Sequence, residues 1–110
     1  MIIGQLAMQA IRRTVEEEAA RDARLHRDIG VRQAVGDGST ADSWLRYVAD
    51  CARVSADMAV HQHTGIRIER VEPAQAEVIR LLHIEAYAKA LREHFEGIVD
   101  AMREAEGVAL

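Results

Sequence analysis

Apolar residues recur every three or four positions through most of the chain, which is the spacing of amphipathic α-helices. The pattern predicts a first helix over residues 3–29, with Gly30 as its C-terminal stop. It predicts a second helix over residues 41–63, with Gly65 as its stop. Residues 30–40 hold a cluster of Gly, Asp and Ser, so we expect a loop there. The predicted fold class is therefore all-α.

The segment after the second helix has a different pattern. Residues 65–72 alternate polar and apolar positions, so they predict an extended link that lies as a strap over the core or pairs with a strand of another chain. Pro73 then suits the first position of a third helix over residues 73–106. The apolar seam of that helix alternates steps of three and four, which is typical of a coiled coil. The seam consists of Leu81, Ile84, Ala88, Leu91, Phe95, Ile98 and Met102.

The length of the third helix predicts a partner. A rod over residues 73–106 is about 50 Å long, whereas a compact domain of this chain length is about 35 Å across. Gly97 is the one weak point in the second half of the rod. We therefore expect a homodimer that completes the helical bundle, with the seam as its interface and with His83 and His94 at the interface edge. The alternative is a monomeric three-helix bundle.

The first two helices each have a predicted inner face. On the first helix it comprises Ile3, Ala7, Ile11, Val15, Ala19, Leu25 and Ile29. On the second helix it comprises Trp44, Val48, Cys51, Ser55, Met58 and Gln62, widened by Tyr47 and Val54. At this position Cys51 is expected to act as a small apolar residue rather than as a nucleophile.

Two acids interrupt the inner face of the first helix. Glu18 and Asp22 are four residues apart, and His26 continues the same row. Like charges stacked on a buried face are unfavourable unless they bind a cation, take up protons or meet water. One interpretation is a metal or polar-ligand site of Glu18, Asp22 and His26, with a divalent metal ion as cofactor. A second is a salt-bridge network with Arg46, Arg53 or Arg92. In a third, the acids lie at a gap in the core, open to water or to a partner protein.

Composition narrows the class of protein. The chain has 110 residues, which fits a single domain, and 49% of them are hydrophobic, which excludes disorder as the main state. The net charge of −4 argues against a nucleic-acid partner, which requires a basic surface. No apolar run has the roughly 18 residues of a membrane span. The single cysteine, Cys51, excludes an internal disulfide and fits a reducing compartment, so we expect a cytoplasmic protein.

The sequence lacks a phosphate-binding glycine loop, a nucleotide motif and a Ser–His–Asp signature. It predicts a non-enzymatic protein-interaction module, such as an inhibitor or accessory factor of bacterial or phage origin, with no cofactor. An acidic stripe opposite the seam of the third helix suits a basic partner surface; it comprises Glu93, Glu96, Asp100 and Glu104. The alternative is a bundle, and in one form a small enzyme, that binds a metal or polar ligand through Glu18, Asp22 and His26.

Overall fold

A computed structural model describes residues 1–30, 40–92 and 94–108 of the protein. In these residues the chain forms α-helices and one 3₁₀ turn, without a strand, so the all-α class is confirmed. The elements are α1 (Gln5–Ile29), α2 (Ala41–Thr64), the 3₁₀ turn (Ile68–Arg70), α3 (Pro73–Ala90) and α4 (His94–Val108). The first two helices begin and end within two residues of their predicted bounds. The predicted loop falls mainly on residues 31–39, outside the described part.

Local signals explain both ends of α2. The Thr40 side chain accepts a hydrogen bond from the Ser43 N–H at 3.1 Å, and the Ser43 hydroxyl accepts one from the Thr40 N–H at 2.7 Å. This reciprocal arrangement satisfies two amides that a helix start leaves without partners. At the other end Gly65 has a left-handed φ of 74°, which glycine adopts without steric cost, and its N–H donates to the His61 carbonyl.

The link between α2 and α3 lies over one end of the core. Ile68 and Val71 are buried there, in a cluster with residues from all of the first three helices. The Glu72 N–H donates to the Met1 carbonyl at 2.7 Å, and the side chain of Gln75 exchanges hydrogen bonds with the backbone of Ile3. The link is therefore a strap, and the backbone groups of Arg70 and Glu72 pair with those of Met1.

The single helix predicted over residues 73–106 is wrong, because the chain forms two helices there. α3 ends at Ala90, and Arg92 adopts a left-handed φ of 55°. Two turn hydrogen bonds redirect the backbone, from the Arg92 N–H to the Lys89 carbonyl and from the His94 N–H to the Leu91 carbonyl. The weak point is therefore at Arg92 and not at Gly97, which lies within α4.

Burial of apolar surface explains why the chain turns at Arg92. A left-handed conformation costs a non-glycine residue about 1–2 kcal/mol. The turn brings Val99 and Met102 of α4 into a core cluster around Trp44, where both are buried. Full burial of one such side chain stabilises by about 1.5–3 kcal/mol, so two of them outweigh the cost of the turn. The Ala41 N–H also donates to a carboxylate oxygen of Glu106 at 2.6 Å, which ties α4 to the beginning of α2.

The turn changes the argument for a homodimer. The described residues extend 48 × 24 × 20 Å, so the single chain is itself elongated enough to accommodate its helices. Leu91 and Met102 of the predicted seam are buried in the chain's own core, and Ile84, Phe95 and Ile98 pack against it. Ala88 is half-buried, and Leu81 is 44% exposed. The seam is therefore divided between two helices, and the homodimer stays a prediction.

Alanines decide which helix faces are buried. The buried positions of α1 are Ile11, Val15, Ala19, Ala23 and His26. Those of α2 are Ala41, Trp44, Val48, Ala52, Ser55, Ala56, Ala59 and Val60. Compared with the predicted inner faces, both stripes are rotated toward alanines, whose small side chains allow neighbouring helices to approach closely. As a result Leu25, Ile29, Val54 and Met58, all predicted to be core residues, are exposed.

Candidate functional site

The rotation of the two helices leaves an open groove between α1 and α2. Its volume is about 320 Å³. We call it the α1–α2 groove; it is lined by Thr14, Glu18, Asp22, Asp50, Cys51, Val54, Ser55, Met58, Ala59 and Gln62. A hydrogen bond of 2.7 Å between Thr14 Oγ1 and His63 Nε2 connects the two helices near one end. Since Thr14 and Asp22 of α1 meet the end and the middle of α2, the two walls run antiparallel.

The wall formed by α2 is apolar and open to solvent. Val54 is 59% exposed and Met58 is 65% exposed, although both are large hydrophobic residues on a regular helix. Leu25 and Ile29 of α1 are also exposed, at helical spacing after Glu18 and Asp22, although they lie outside the lining of the groove. A run of exposed apolar side chains along a concave surface is typical of a binding site for another molecule.

The charges in the groove are all negative. The described residues that line it include the carboxylates of Glu18, Asp22 and Asp50 and no Lys, Arg or His. The Arg21 guanidinium donates a hydrogen bond to the Glu18 carboxylate of the same helix at 3.0 Å, and Asp50 forms an ion pair with Arg53 of its own helix. Both pairs are exposed, so solvent and side-chain entropy leave them weak. The groove therefore attracts cations.

Asp22 differs from the other two acids because a buried histidine lies behind it. His83 of α3 is fully buried, and neither of its ring nitrogens has a hydrogen-bond partner among the described residues. Its Nε2 lies 3.7 Å from Asp22 Oδ2, which is too long for a hydrogen bond. Burial lowers the pKa of His83, against the opposing effect of Asp22 and Glu18. The ring is therefore neutral at pH 7 and does not compensate the negative charge of the Asp22 carboxylate.

His26 has a structural partner of its own. Its Nδ1 lies 2.6 Å from the hydroxyl of Tyr87, and both side chains are buried. Burial lowers the pKa of His26, although the charge of Asp22 acts in the opposite direction. Burial also raises the pKa of Tyr87. At neutral pH the phenol therefore stays protonated and the imidazole neutral, and the hydrogen bond between them satisfies both groups inside the core.

The structure does not assemble the predicted metal ligands Glu18, Asp22 and His26. Glu18 faces the groove beside Arg21, whereas His26 is bonded to Tyr87 in the core. Within residues 1–30, 40–92 and 94–108, no group of three or more His, Cys, Asp and Glu side chains is placed to hold a metal ion. The interpretation that matches the observed positions of both acids is the third one, a gap in the core that is open to solvent.

The predicted salt-bridge network is also missing from the described residues. Arg53 pairs with Asp50, and neither Arg46 nor Arg92 forms an ion pair with Glu18 or Asp22 in this part of the chain. Among the described residues, the three arginines that the sequence offered as partners therefore do not pair with Glu18 or Asp22.

Cys51 is half-buried in the groove, and burial raises the pKa of its thiol. A thiol with a raised pKa is mostly protonated at pH 7 and is a poor nucleophile.

The prediction that His83 lies at an interface edge is wrong, because its side chain is fully buried in the core. A signal for its burial was present, because Ile79, His83 and Tyr87 are spaced by four residues and share one face of α3. All of them are fully buried or nearly so.

Among the described helices none is long and apolar enough to cross a membrane. Comparison of the chain with protein-family models, with curated proteins and with solved structures finds no match in any of the three.

Proposed function

We propose that the protein is a non-enzymatic protein-interaction module that binds an amphipathic helix of a partner protein in the α1–α2 groove. The observation that carries this proposal is the exposure of Val54 and Met58 along a concave surface between two helices. An amphipathic helix that places its apolar face in such a groove is a common mode of peptide recognition. An inhibitor or accessory factor acting in the cytoplasm fits this mode.

The dimensions of the groove suit a helix. Its α2 wall runs from Asp50 to Gln62, which is about 20 Å of helix. Such a span faces about four turns of a partner helix, so that apolar residues at positions i, i+4 and i+7 can contact it. A bound helix would cover Val54 and Met58 and would complete the layer that α1 and α2 leave open.

The proposal is tested with three labelled peptides of about 18 residues, about 27 Å long as helices. The peptides share one apolar face of leucines, and the positions that flank this face are Lys, Gln or Glu. We expect at least one peptide to bind the wild-type chain in a fluorescence anisotropy titration. The double variant Val54→Thr, Met58→Gln loses apolar contact area and should weaken that binding about tenfold or more.

The matched control is Leu6→Gln, which removes an exposed apolar side chain from α1, outside the groove. Leu6 is 82% exposed and does not line the groove, so this variant should bind as the wild type does. Absence of binding by all three peptides would refute the proposal, as would equal binding by the double variant and the wild type.

The homodimer is a second proposal for the same chain, and one observation favours it. Leu81 of the predicted seam is exposed, as is the nearby Val78 of α3, so one end of the seam is free to contact a second copy. The metal-binding alternative finds no comparable support in the described residues, since they contain no ligand cluster.

A further inference from the structure

One acid of the α1–α2 groove, Asp22, has no cationic partner among the described residues. Glu18 and Asp50 each have an arginine on their own helix, whereas the contact found for Asp22 is the neutral imidazole of His83. The other oxygen of the carboxylate, Oδ1, has no hydrogen-bond partner in the part of the chain that the structure describes. The side chain of Asp22 is 25% exposed, so it is partly removed from water and still reachable from the groove.

The imidazole behind Asp22 is a second and independent observation. A fully buried ring with two unpaired nitrogens is costly in a protein core, because each polar atom loses its hydrogen bonds to water. Here the ring lies within 4 Å of the carboxylate, so a small shift of Asp22 would allow it to accept from Nε2. In other sites, residues behind a binding carboxylate orient it toward its ligand. Here His83 would orient Asp22 from the core side, and a cation in the groove would hold the carboxylate from the other side.

We propose that Asp22 is the anchor of a cation subsite in the groove and binds a lysine or arginine side chain of the partner helix. Glu18, one turn away on the same face of α1, adds a second negative charge to the subsite. This inference rests on the proposed function and adds the chemistry of the partner, namely an amphipathic helix with basic residues beside its apolar face. The absence of Lys, Arg and His from the lining gives the groove the matching negative charge.

The same three peptides test this inference. The Lys-flanked peptide should bind the wild-type chain most tightly and the Glu-flanked peptide least tightly. Asp22→Asn should weaken binding of the Lys-flanked peptide about tenfold and should leave binding of the Gln-flanked peptide unchanged. Unchanged binding of the Gln-flanked peptide also shows that the variant is folded.

The matched control is Asp28→Asn, which removes the same charge from an exposed position of α1 outside the groove. It should change binding of the Lys-flanked peptide by less than about twofold, because exposed charges at a distance are screened by salt. If Asp28→Asn weakens binding as much as Asp22→Asn, the effect is one of net charge and the subsite is refuted. If the Lys- and Gln-flanked peptides bind equally and both depend on Met58, the subsite is refuted while the proposed function stands.

Discussion

The left-handed turn at Arg92 predicts that glycine is more stable than alanine at this position, whereas one continuous helix predicts the opposite order. Arg92 has a φ of 55°, a region that L-residues avoid and glycine adopts readily. Replacing Arg92 with glycine removes a steric cost of about 1–2 kcal/mol. It also makes the unfolded chain more flexible, which costs about 0.4–1 kcal/mol. We therefore expect Arg92→Gly to be more stable than Arg92→Ala by about 0.5–1 kcal/mol.

The comparison of glycine with alanine at one position is a matched control, because both variants lose the same guanidinium and the same contacts. If residues 73–106 formed one continuous helix, alanine would be favoured over glycine by about 1 kcal/mol. In a chain of this length 1 kcal/mol corresponds to about 4 °C in the melting temperature. Thermal unfolding followed by circular dichroism resolves a difference of that size.

A third variant measures how glycine changes the free energy of unfolding inside a helix. Glu85 is exposed on α3, so Glu85→Gly should lower the free energy of unfolding by about 1 kcal/mol. If Arg92→Gly is less stable than Arg92→Ala, the backbone at Arg92 is helical and the turn between α3 and α4 is refuted.

Three further predictions concern the core and the oligomeric state. Tyr87→Phe leaves Nδ1 of His26 without its hydrogen-bond partner, so it should lower the free energy of unfolding by about 1–3 kcal/mol in urea titrations; a change below about 0.5 kcal/mol would contradict the buried bond. Because the folded-state pKa of His83 lies below the ordinary histidine pKa of 6.5, the unfolded chain binds more protons as the pH falls below 6.5. Stability should therefore fall as the pH falls below that value, and less steeply in His83→Leu; identical pH profiles would exclude this role. Leu91→Glu should unfold the chain, since Leu91 lies in the core of its own chain. Leu81→Glu should instead leave the fold intact and dissociate a dimer, because Leu81 is exposed. Light scattering that shows the wild type as a monomer would refute the dimer.

The candidate site was partly predictable. The row of Glu18, Asp22 and His26 was recognisable as unusual from spacing alone, and a gap in the core was among its interpretations. The three residues do not share one buried row, as the spacing suggested, because the buried stripe of α1 passes through Ala19 and Ala23. This rotation puts His26 inside the core and both acids at its edge. A pattern based on large apolar residues cannot show it, because alanine is compatible with either a buried or an exposed position.

The α1–α2 groove could not be predicted from the sequence for the same reason. Val54 and Met58 are the larger apolar residues of their part of α2, so a periodicity argument assigns them to the core. In the structure Ala52, Ala56 and Ala59 occupy the core instead. Three helices can approach closely through alanines, and the larger side chains then remain on the outer edge of the contact.

The sequence by itself determined the all-α class, the bounds of α1 and α2 and the start of α3, because capping residues, Gly65 and Pro73 act locally on the backbone. Tertiary structure alone decided where α3 ends. The residue there, Arg92, has no helix-breaking property of its own. Burial of Val99 and Met102 around Trp44 stabilises the turn, and that contact joins residues more than 50 positions apart in the chain. Interactions of this range depend on how the helices pack, which local periodicity does not encode.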